Sequence, residues 1–540
     1  MRRQTFLIGL IALLLAAPLP ALFLLEATQP KGAWADWLLN RTLVGVTLPS
    51  QNTPFTARTW FDGSFQLSVT KWVGERFCGR ELCIRLYNQV LWSLCRKSYM
   101  AAESVVTGTD GRLFEMNYLA HYAGLDLRPN RHELDLLALR LRLLHRQLAA
   151  RGVPFVVVIT PSKAAFYPDS IPTRYQPPAT LGRPLEHERL HERLSRDGIP
   201  MVDGVALTHL AESRLPLPAF PATGTHWTPV AAGDTAEAIL RACELASHQS
   251  LARLSLSPPQ VTNEPNGFDD DLSRLLNLAV PLRDRYLHAS IGRAEGSPRR
   301  KGQLTIVGGS FVYQLLSVWE QAEAWEQIRF FYYFGQRETY PTVTSTNVDR
   351  RRVDWEGDFC HADAVVLEIN EAAFTGEHLE AFFASAQAGL AKDPIIPPPG
   401  VTFAPGAWYR EESDGLRRWR WSALRTSDLT IERNGSAAAP LLVAGRIISY
   451  SLRQTLRLLA SDGSELWRTQ LEPGRYSAFC LRLPASSAPT STLRFVSDAE
   501  PAPPGKKDTR PLGFALFDLV AEPDIPCSAD TALPSPTGGL

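Results

Sequence analysis

A serine and a histidine, well separated in the chain, carry the chemistry that this sequence offers. Ser310 follows the apolar run Thr305-Ile306-Val307 and two glycines, and an apolar helical pattern begins just after it. This order predicts a buried strand, a sharp turn and a helix, which places the serine beside free backbone N–H groups. The alternative is a glycine turn in which Ser310 only caps the helix. The candidate base is His226, in the stretch Thr225-His226-Trp227-Thr228-Pro229.

Together these two side chains would form a nucleophile and a general base. A serine hydroxyl is a weak nucleophile, so the base must lie within hydrogen-bond reach. Attack on an acetyl ester would then produce an acyl-serine, and the backbone N–H groups of Gly309 and Ser310 would stabilise the oxyanion. A purely structural histidine is the alternative for His226.

Strands and helices alternate through the region that contains both residues. Leucines from Leu134 to Leu148 recur at three- and four-residue steps, which predicts a helix that Gly152 ends. The apolar run Phe155–Ile159 is typical of a parallel strand buried on both faces. Further predicted helices and strands cover 185–196, 199–202, 229–246, 328–333, 364–370 and 378–390. The pattern predicts an α/β domain with a mostly parallel sheet.

Polar residues follow several of these strands at their carboxyl ends, where α/β sheets gather functional groups. Besides Ser310 they are Lys163, Glu368 and Asn370. We expect Lys163, Tyr167 and Asn370 either to contact substrate or the oxyanion or to serve as structural hydrogen-bonding residues.

The N-terminus indicates export. Arg2 and Arg3 precede an apolar run from Phe6 to Leu25, which is close to the length that spans a bilayer. Residues 1–27 are therefore predicted to be an inner-membrane anchor or, alternatively, a cleaved signal peptide. The rest of the chain is expected on the periplasmic side of the inner membrane, or free in the periplasm after cleavage.

The remaining boundaries follow from changes in composition. Residues 28–97 are predicted to be irregular, 98–396 to form the α/β domain, 401–522 a β-sandwich of jelly-roll type and 523–540 a disordered tail. The sandwich is either a carbohydrate-binding module or a passive packing module. Its tryptophans are the candidate sugar-stacking residues: Trp408, Trp419, Trp421 and Trp467.

The balance of charged residues limits the classes of partner that the protein is expected to bind. The 56 basic residues balance 56 acidic ones, so nucleic acid is not an expected partner. The sequence has no CxxC pair and no His/Cys spacing typical of zinc sites. We therefore expect neither a metal nor a cofactor.

Six motifs in order resemble the SGNH-hydrolase-like domain of the alginate O-acetyltransferase family, of the AlgX/AlgJ type. Residues 108–115 are similar to the family's opening "GxDGWLF" segment, and residues 161–168 are similar to its "PxK…YP" segment. Residues 225–229 resemble its "DTHWTPxG" motif. Residues 271–276 resemble the family's "GDLxxML" motif. Residues 308–311 resemble its nucleophile turn, and residues 367–371 resemble its late strand. The resemblance implies a three-layer fold and acetylation of an exported polysaccharide, with Ser310 as nucleophile and His226 as base. It also implies a membrane-bound O-acyltransferase as the acetyl donor.

One position departs from the family's pattern. Gly224 stands where the family has the aspartate that orients the histidine. Loss of an orienting acid costs orders of magnitude in rate. Glu368 and Asp271 are the candidate substitutes. The rival interpretations are a catalytically silent polysaccharide-binding or assembly protein that has lost the triad, and an acetylesterase that passes the acyl group to water.

Overall fold

The computed structural model describes residues 43–45, 53–76, 80–99, 101, 104–126, 128–298, 302–391, 399–433, 439–505 and 508–524. None of the helices in these ranges combines the length and the apolar character that crossing a bilayer requires. The predicted anchor or signal peptide, residues 1–27, and most of the predicted tail, residues 525–540, lie outside the described ranges.

Three helices occupy the stretch that the sequence predicted to be irregular, so that prediction was wrong. They are α1 (Ala57–Phe61), α2 (Ser64–Arg76) and α3 (Arg80–Cys95). The clearest tertiary contact of α3 is polar. Asn88 is fully buried and donates to the carbonyls of Leu276 and Asn277, at 3.1 and 3.3 Å. A helix held by such long-range contacts lacks the apolar periodicity that sequence analysis detects.

A seven-stranded sheet forms the centre of the α/β domain. In spatial order the strands are β12 (Thr344–Asn347), β11 (Gln336–Tyr340), β10 (Gln327–Tyr332), β9 (Gln303–Gly308), β13 (Ala364–Asn370), β3 (Phe155–Thr160) and β4 (Met201–Asp203). The five strands from β10 to β4 are parallel. The hairpin of β11 and β12 extends the sheet in the antiparallel sense. The predicted mostly parallel sheet is confirmed.

Both faces of this sheet are covered, and its central strands β3, β9 and β13 are buried at nearly every position. Val156 and Ile306 point into one core and Val157 and Val307 into the other, as the two-residue period of a strand requires. The helices of the first face are α9 (Pro229–Ser247) and α11 (Val312–Gln321), and those of the second are α5 (Arg131–Ala149), α7 (Glu186–Arg196) and α12 (Glu377–Leu390). The result is a three-layer domain.

Smaller elements complete the α/β region. The helices are α4 (Met116–Ala123), α6 (Lys163–Phe166), α8 (Gly204–Glu212) and α10 (Asp271–Leu275). The strands pair as three short antiparallel ribbons: β1 (Val105–Thr107) with β2 (Leu113–Glu115), β5 (Leu254–Leu256) with β8 (Ile291–Arg293), and β6 (Gln260–Thr262) with β7 (Tyr286–His288).

Two five-stranded antiparallel sheets form the C-terminal β-sandwich that the sequence predicted. One sheet has the order β14 (Val401–Phe403), β17 (Thr426–Glu432), β22 (Thr490–Ser497), β19 (Gln454–Leu459) and β20 (Glu465–Leu471). The other has the order β15 (Glu412–Ser413), β16 (Arg418–Trp421), β23 (Ala515–Pro523), β18 (Leu441–Ile448) and β21 (Tyr476–Leu483).

The sandwich packs directly on helix α5 of the α/β domain. Leu136 and Leu139 of α5 contact Leu442 and Ala444 of β18. The fully buried Arg142 adds a charged contact, because its guanidinium lies 3.0 Å from the Glu522 carboxylate. Burial of such a pair makes removal of either partner costly.

Most of the tryptophans that the sequence offered for sugar stacking belong to the interior of the sandwich. Trp408 and Trp467 lie in its core, and Trp421 is 8% exposed. Trp419 is half-buried and stacks on Phe517, with ring centroids 5.2 Å apart. Buried indoles offer no free face to a ligand, so Trp408, Trp421 and Trp467 are core residues.

Candidate active site

The turn that carries Ser310 requires glycine. Strand β9 ends at Gly308, and α11 begins at Val312. A Cβ added at Gly308 would lie 2.6 Å from Oε2 of Glu368, so no larger residue fits there. The tight turn places Ser310 at the carboxyl edge of the sheet, half-buried, as the strand–turn–helix pattern predicted.

Ser310, His226 and an aspartate form a continuous hydrogen-bonded chain. The Ser310 hydroxyl lies 2.8 Å from Nε2 of His226. Nδ1 of the same ring lies 2.7 Å from Oδ2 of Asp271. In this arrangement Nδ1–H donates to the carboxylate, which leaves Nε2 free to accept the serine proton. The geometry is that of a serine nucleophile, its general base and an orienting acid.

Asp271 is fixed by the backbone at the start of α10. Its Oδ1 atom accepts hydrogen bonds from the N–H groups of Thr225 and Leu272, at 2.8 and 2.7 Å. Its other oxygen is therefore directed at His226. One of these N–H groups belongs to the residue directly before His226, so the carboxylate holds the histidine loop as well as the ring.

Gly224 cannot carry the acid in this fold. A Cβ at Gly224 would meet the carbonyl oxygens of Asp269 and Phe268 at 2.5 and 2.8 Å. The loop that brings Asp271 to His226 therefore occupies the space that an aspartate side chain at 224 would need. The acid that the sequence lacks at 224 is supplied from 271.

The histidine and serine turns are also joined by aromatic contacts. The indole Nε1–H of Trp227 donates to the Phe311 carbonyl at 3.2 Å. The Phe311 ring lies 4.8 Å from the His226 ring, between centroids. Both Trp227 and Phe311 are at least 99% buried, so they fix the separation of the two turns.

Glu368, the other candidate acid, does not contact the histidine through a hydrogen bond. Its carboxylate accepts from the Thr160 hydroxyl and, at 2.7 Å, from the N–H of Gly309. Burial raises the pKa of Glu368, and these two bonds oppose that effect. The prediction that Gly309 N–H serves an oxyanion was therefore wrong, because Glu368 already binds this donor. The N–H of Ser310, the other donor predicted for the oxyanion, lies within hydrogen-bond reach of the Tyr333 hydroxyl.

Lys163, Tyr167 and Asn370 are bound into the structure rather than directed at Ser310. The Lys163 ammonium is fully buried and donates to the carbonyls of Pro221, Ala222 and Gly224. Burial lowers the pKa of Lys163 to about 7. The Tyr167 hydroxyl donates to Glu212 at 2.6 Å. Asn370 donates to Thr160 and to the Pro161 carbonyl, and accepts from the Ala372 N–H. The structural alternative holds for all three residues.

Two further side chains at the site were missed by the sequence analysis. Tyr333 lies in the turn after β10, and its hydroxyl lies beside Ser310. Burial raises the pKa of the phenol, and hydrogen bonds with Ser310 partly oppose this shift. Tyr333 and Phe334 both have positive φ values, 44° and 49°, which non-glycine residues rarely adopt. Glu115, at the end of β2, lies close to His226 and Asp271, and burial raises its pKa. Neither residue belongs to a pattern that the sequence alone marks as reactive.

Among the described residues, no group of three or more histidine, cysteine, aspartate or glutamate side chains is arranged to hold a metal ion.

Part of the α/β region matches a known family. Residues 105–300 match the family described as the SGNH hydrolase-like domain of acetyltransferase AlgX, so this region is similar to that domain and the resemblance predicted from the motifs is confirmed. No curated protein sequence matches the chain.

Three solved structures are similar to the chain. The O-acetyltransferase domain of Pseudomonas putida AlgJ is 19% identical, with 53% of this chain and 99% of that one covered and a TM-score of 0.36. Pseudomonas aeruginosa AlgX is 12% identical, with coverage of 78% and 94% and a TM-score of 0.34. Bacillus cereus PatB1 is 9% identical, with coverage of 51% and 98% and a TM-score of 0.33.

Proposed function

We propose that this protein is an O-acetyltransferase that acts outside the cytoplasm on an exported polysaccharide, through an acetyl-serine at Ser310. The observation that supports it best is the chain from Ser310 through His226 to Asp271, with donor–acceptor distances of 2.8 and 2.7 Å. A complete triad also argues against the silent binding protein, whose main support was the missing acid at Gly224.

The reaction has two halves. In the first, Oγ of Ser310 attacks the acetyl carbonyl of the donor while Nε2 of His226 takes the hydroxyl proton. The donor's leaving group departs with that proton, and the acetyl group remains on Ser310. Asp271 stabilises the imidazolium that forms between these steps. We expect the Ser310 N–H, which faces the Tyr333 hydroxyl, to donate to the oxyanion once the acetyl carbonyl is attacked.

In the second half, a sugar hydroxyl of the polysaccharide attacks the acetyl-serine. His226 removes the proton of the sugar hydroxyl and returns a proton to Oγ of Ser310 as the ester bond to the serine breaks. Water in place of the sugar would give the esterase reaction, so the fate of the acetyl group distinguishes the two activities. A membrane-bound O-acyltransferase at the inner membrane, which the N-terminal anchor would adjoin, is the donor that the resemblance implies.

The test uses the full-length protein with p-nitrophenyl acetate as the acetyl donor. Wild type should release p-nitrophenol and gain about 42 Da on Ser310, the mass of an acetyl group, as an acyl-enzyme requires. Ser310→Ala and His226→Ala should each lower the rate about 10³-fold or more and abolish the adduct. Equal release by all three proteins, with no adduct, would contradict the proposal and favour the binding protein.

A further inference from the structure

A continuous wall of aromatic side chains connects the general base to the nucleophile. Between ring centroids, Phe268 lies 5.2 Å from His226, Tyr313 lies 5.2 Å from Phe268, and Tyr332 lies 5.5 Å from Tyr313. Tyr333 lies 4.7 Å from Tyr332 and ends the wall beside Ser310. We refer to Phe268, Tyr313, Tyr332 and Tyr333 as the aromatic wall.

The aromatic wall is accessible from outside. Phe268, Tyr313 and Tyr332 are half-buried, and Tyr333 is 38% exposed. Partly exposed aromatic rings present flat apolar faces together with phenol hydroxyls. Such a surface suits the C–H face of a pyranose ring, whose hydroxyls can reach polar groups at the edges of the wall.

Two carboxylates adjoin the aromatic wall, one beside the His226–Asp271 pair and one beside Tyr313. Glu115 adjoins the His226–Asp271 pair, and the Asn117 amide donates to it at 3.5 Å. Glu338 accepts hydrogen bonds from the hydroxyls of Tyr313 and Tyr340, at 3.0 and 2.6 Å. A ligand that carries negative charge and lies on the aromatic wall would therefore meet like charges at Glu115 and Glu338.

The cations in the loops around the site are already bound to other groups. Arg274 pairs with Asp270 at 3.1 Å and donates to the Gly267 carbonyl. Arg350 donates to the backbone carbonyls of Tyr333 and Phe334. In the part of the chain that the structure describes, no arginine or lysine stacks on a ring of the aromatic wall.

We infer that the acceptor is an uncharged glycan, whose sugar rings stack on the aromatic wall and whose hydroxyls hydrogen-bond to Glu115 and Glu338, and that polyuronates are disfavoured. The inference rests on the proposed acetyl transfer. A polyuronate carries one carboxylate on each sugar, and its approach would place like charges together without a compensating cation, which is how binding sites reject a ligand. The acetyl group goes from Ser310 to a hydroxyl of the glycan, as in the reaction above.

The test compares two glycans that differ only in charge. The full-length protein is acetylated with p-nitrophenyl acetate and offered hexagalacturonate or its carboxyl-reduced counterpart, which has the same linkage. A mannuronate oligomer and its reduced form provide a second pair. Only acetyl groups on O2 and O3, which both members of each pair possess, are counted by tandem mass spectrometry.

The reduced member should receive at least about 10-fold more acetyl in each pair, and added salt should narrow the difference because it screens charge. Glu115→Gln should also narrow it by raising transfer to the uronate. Glu356→Gln is the matched control, because Glu356 is 70% exposed and lies in a turn that precedes the amino end of β13, at the opposite edge of the sheet. The effect of salt is measured on the wild-type protein, so this test of the inference can be made even if the Glu115→Gln variant does not fold.

Equal or better transfer to the uronates would overturn the inference, as would discharge of acetyl-Ser310 to water alone with all four oligomers. Either result differs from failure of the proposed function, because in that case no adduct would form on Ser310 at all.

Discussion

Two halves of the same sheet edge use polar side chains in opposite ways. At the end of β9, Ser310 and His226 form a chain whose outer end, the serine hydroxyl, lies beside the partly exposed Tyr333. At the ends of β3 and β13, the polar side chains form hydrogen bonds within the protein. Lys163 donates to backbone carbonyls, and Asn370 bonds to Thr160 and two backbone groups.

The difference shows what position at a strand end does and does not imply. Both halves place polar residues where α/β proteins build sites. Only the β9 half combines a nucleophile on a glycine turn, a base and an orienting acid. The β3–β13 half stabilises the loops on which that chemistry depends, since Lys163 binds the carbonyl of Gly224, two residues before His226.

Among the substitutions that would distinguish the β9 half from the β3–β13 half, we expect the largest effect on the reaction rate at Asp271. Asp271→Asn should lower the rate of Ser310 acetylation about 10²–10⁴-fold, because the amide cannot stabilise the imidazolium and favours the wrong tautomer. The initial rate of p-nitrophenol release measures it. Asp270→Asn is the matched control: it removes the same charge one residue away, from a carboxylate that pairs with Arg274 instead of His226.

Restoring the acid at the family's position should not rescue the variant. In Gly224→Asp/Asp271→Asn the new Cβ would collide with the Asp269 carbonyl, 2.5 Å away, so the fold should lose about 1–3 kcal/mol and regain no activity. Recovery of the rate in the double variant would contradict the assignment of Asp271 as the acid that orients His226.

The sequence was sufficient for the parts of the site that depend on local pattern. The apolar runs at β9 and β13 and the glycine turn before Ser310 predicted their elements because a buried parallel strand must be apolar on both faces. The sandwich strands were predicted for a similar reason: short alternating runs separated by turn residues.

The sequence was insufficient where the answer depends on distance in space. It offered Glu368 and Asp271 as equal candidates, and only the fold shows that Asp271 reaches His226 while Glu368 binds Gly309. Tyr333 was missed because it reaches Ser310 through a turn with positive φ values, which its aromatic sequence does not indicate. The tryptophans of the sandwich were ambiguous for the same reason, since composition cannot distinguish a core indole from an exposed one.

A smaller effect, on stability rather than chemistry, is expected in the β3–β13 half. Lys163→Met should lower the free energy of unfolding by about 3–5 kcal/mol, because three buried carbonyls lose their donor. Urea unfolding at pH 7 measures it. Lys71→Met, at an exposed position of α2, is the control and should change stability by less than about 0.5 kcal/mol.

The folded fraction of Lys163→Met should still acquire acetyl on Ser310, because Lys163 donates no hydrogen bond to Ser310 or His226 among the described contacts. If the variant were as stable as wild type but unable to form the adduct, Lys163 would belong to the reactive half and the comparison would fail.

The smallest effect is expected at Asp269, which lies between the reactive chain and the loop that closes over Gly224. Burial raises the pKa of Asp269 from 3.8 to about 7, and the neighbouring carboxylates of Asp270, Asp271 and Asp284 act in the same direction. The folded protein therefore keeps a proton that the unfolded chain releases between about pH 4 and pH 7. The free energy of unfolding should fall as the pH rises through this window and then level off.

Asp269→Asn removes this titration. Between pH 4.5 and pH 7.5 the free energy of unfolding should therefore decrease by about 1–3 kcal/mol less in the variant than in wild type. Urea unfolding at both pH values measures this difference. Asp349→Asn, at a carboxylate that is 59% exposed, should leave the wild-type slope unchanged. An unchanged slope in Asp269→Asn would mean that Asp269 is ionised in the folded protein. Its charge would then add to that of Asp271 beside His226, and the reactive half would hold one more negative charge than the geometry implies.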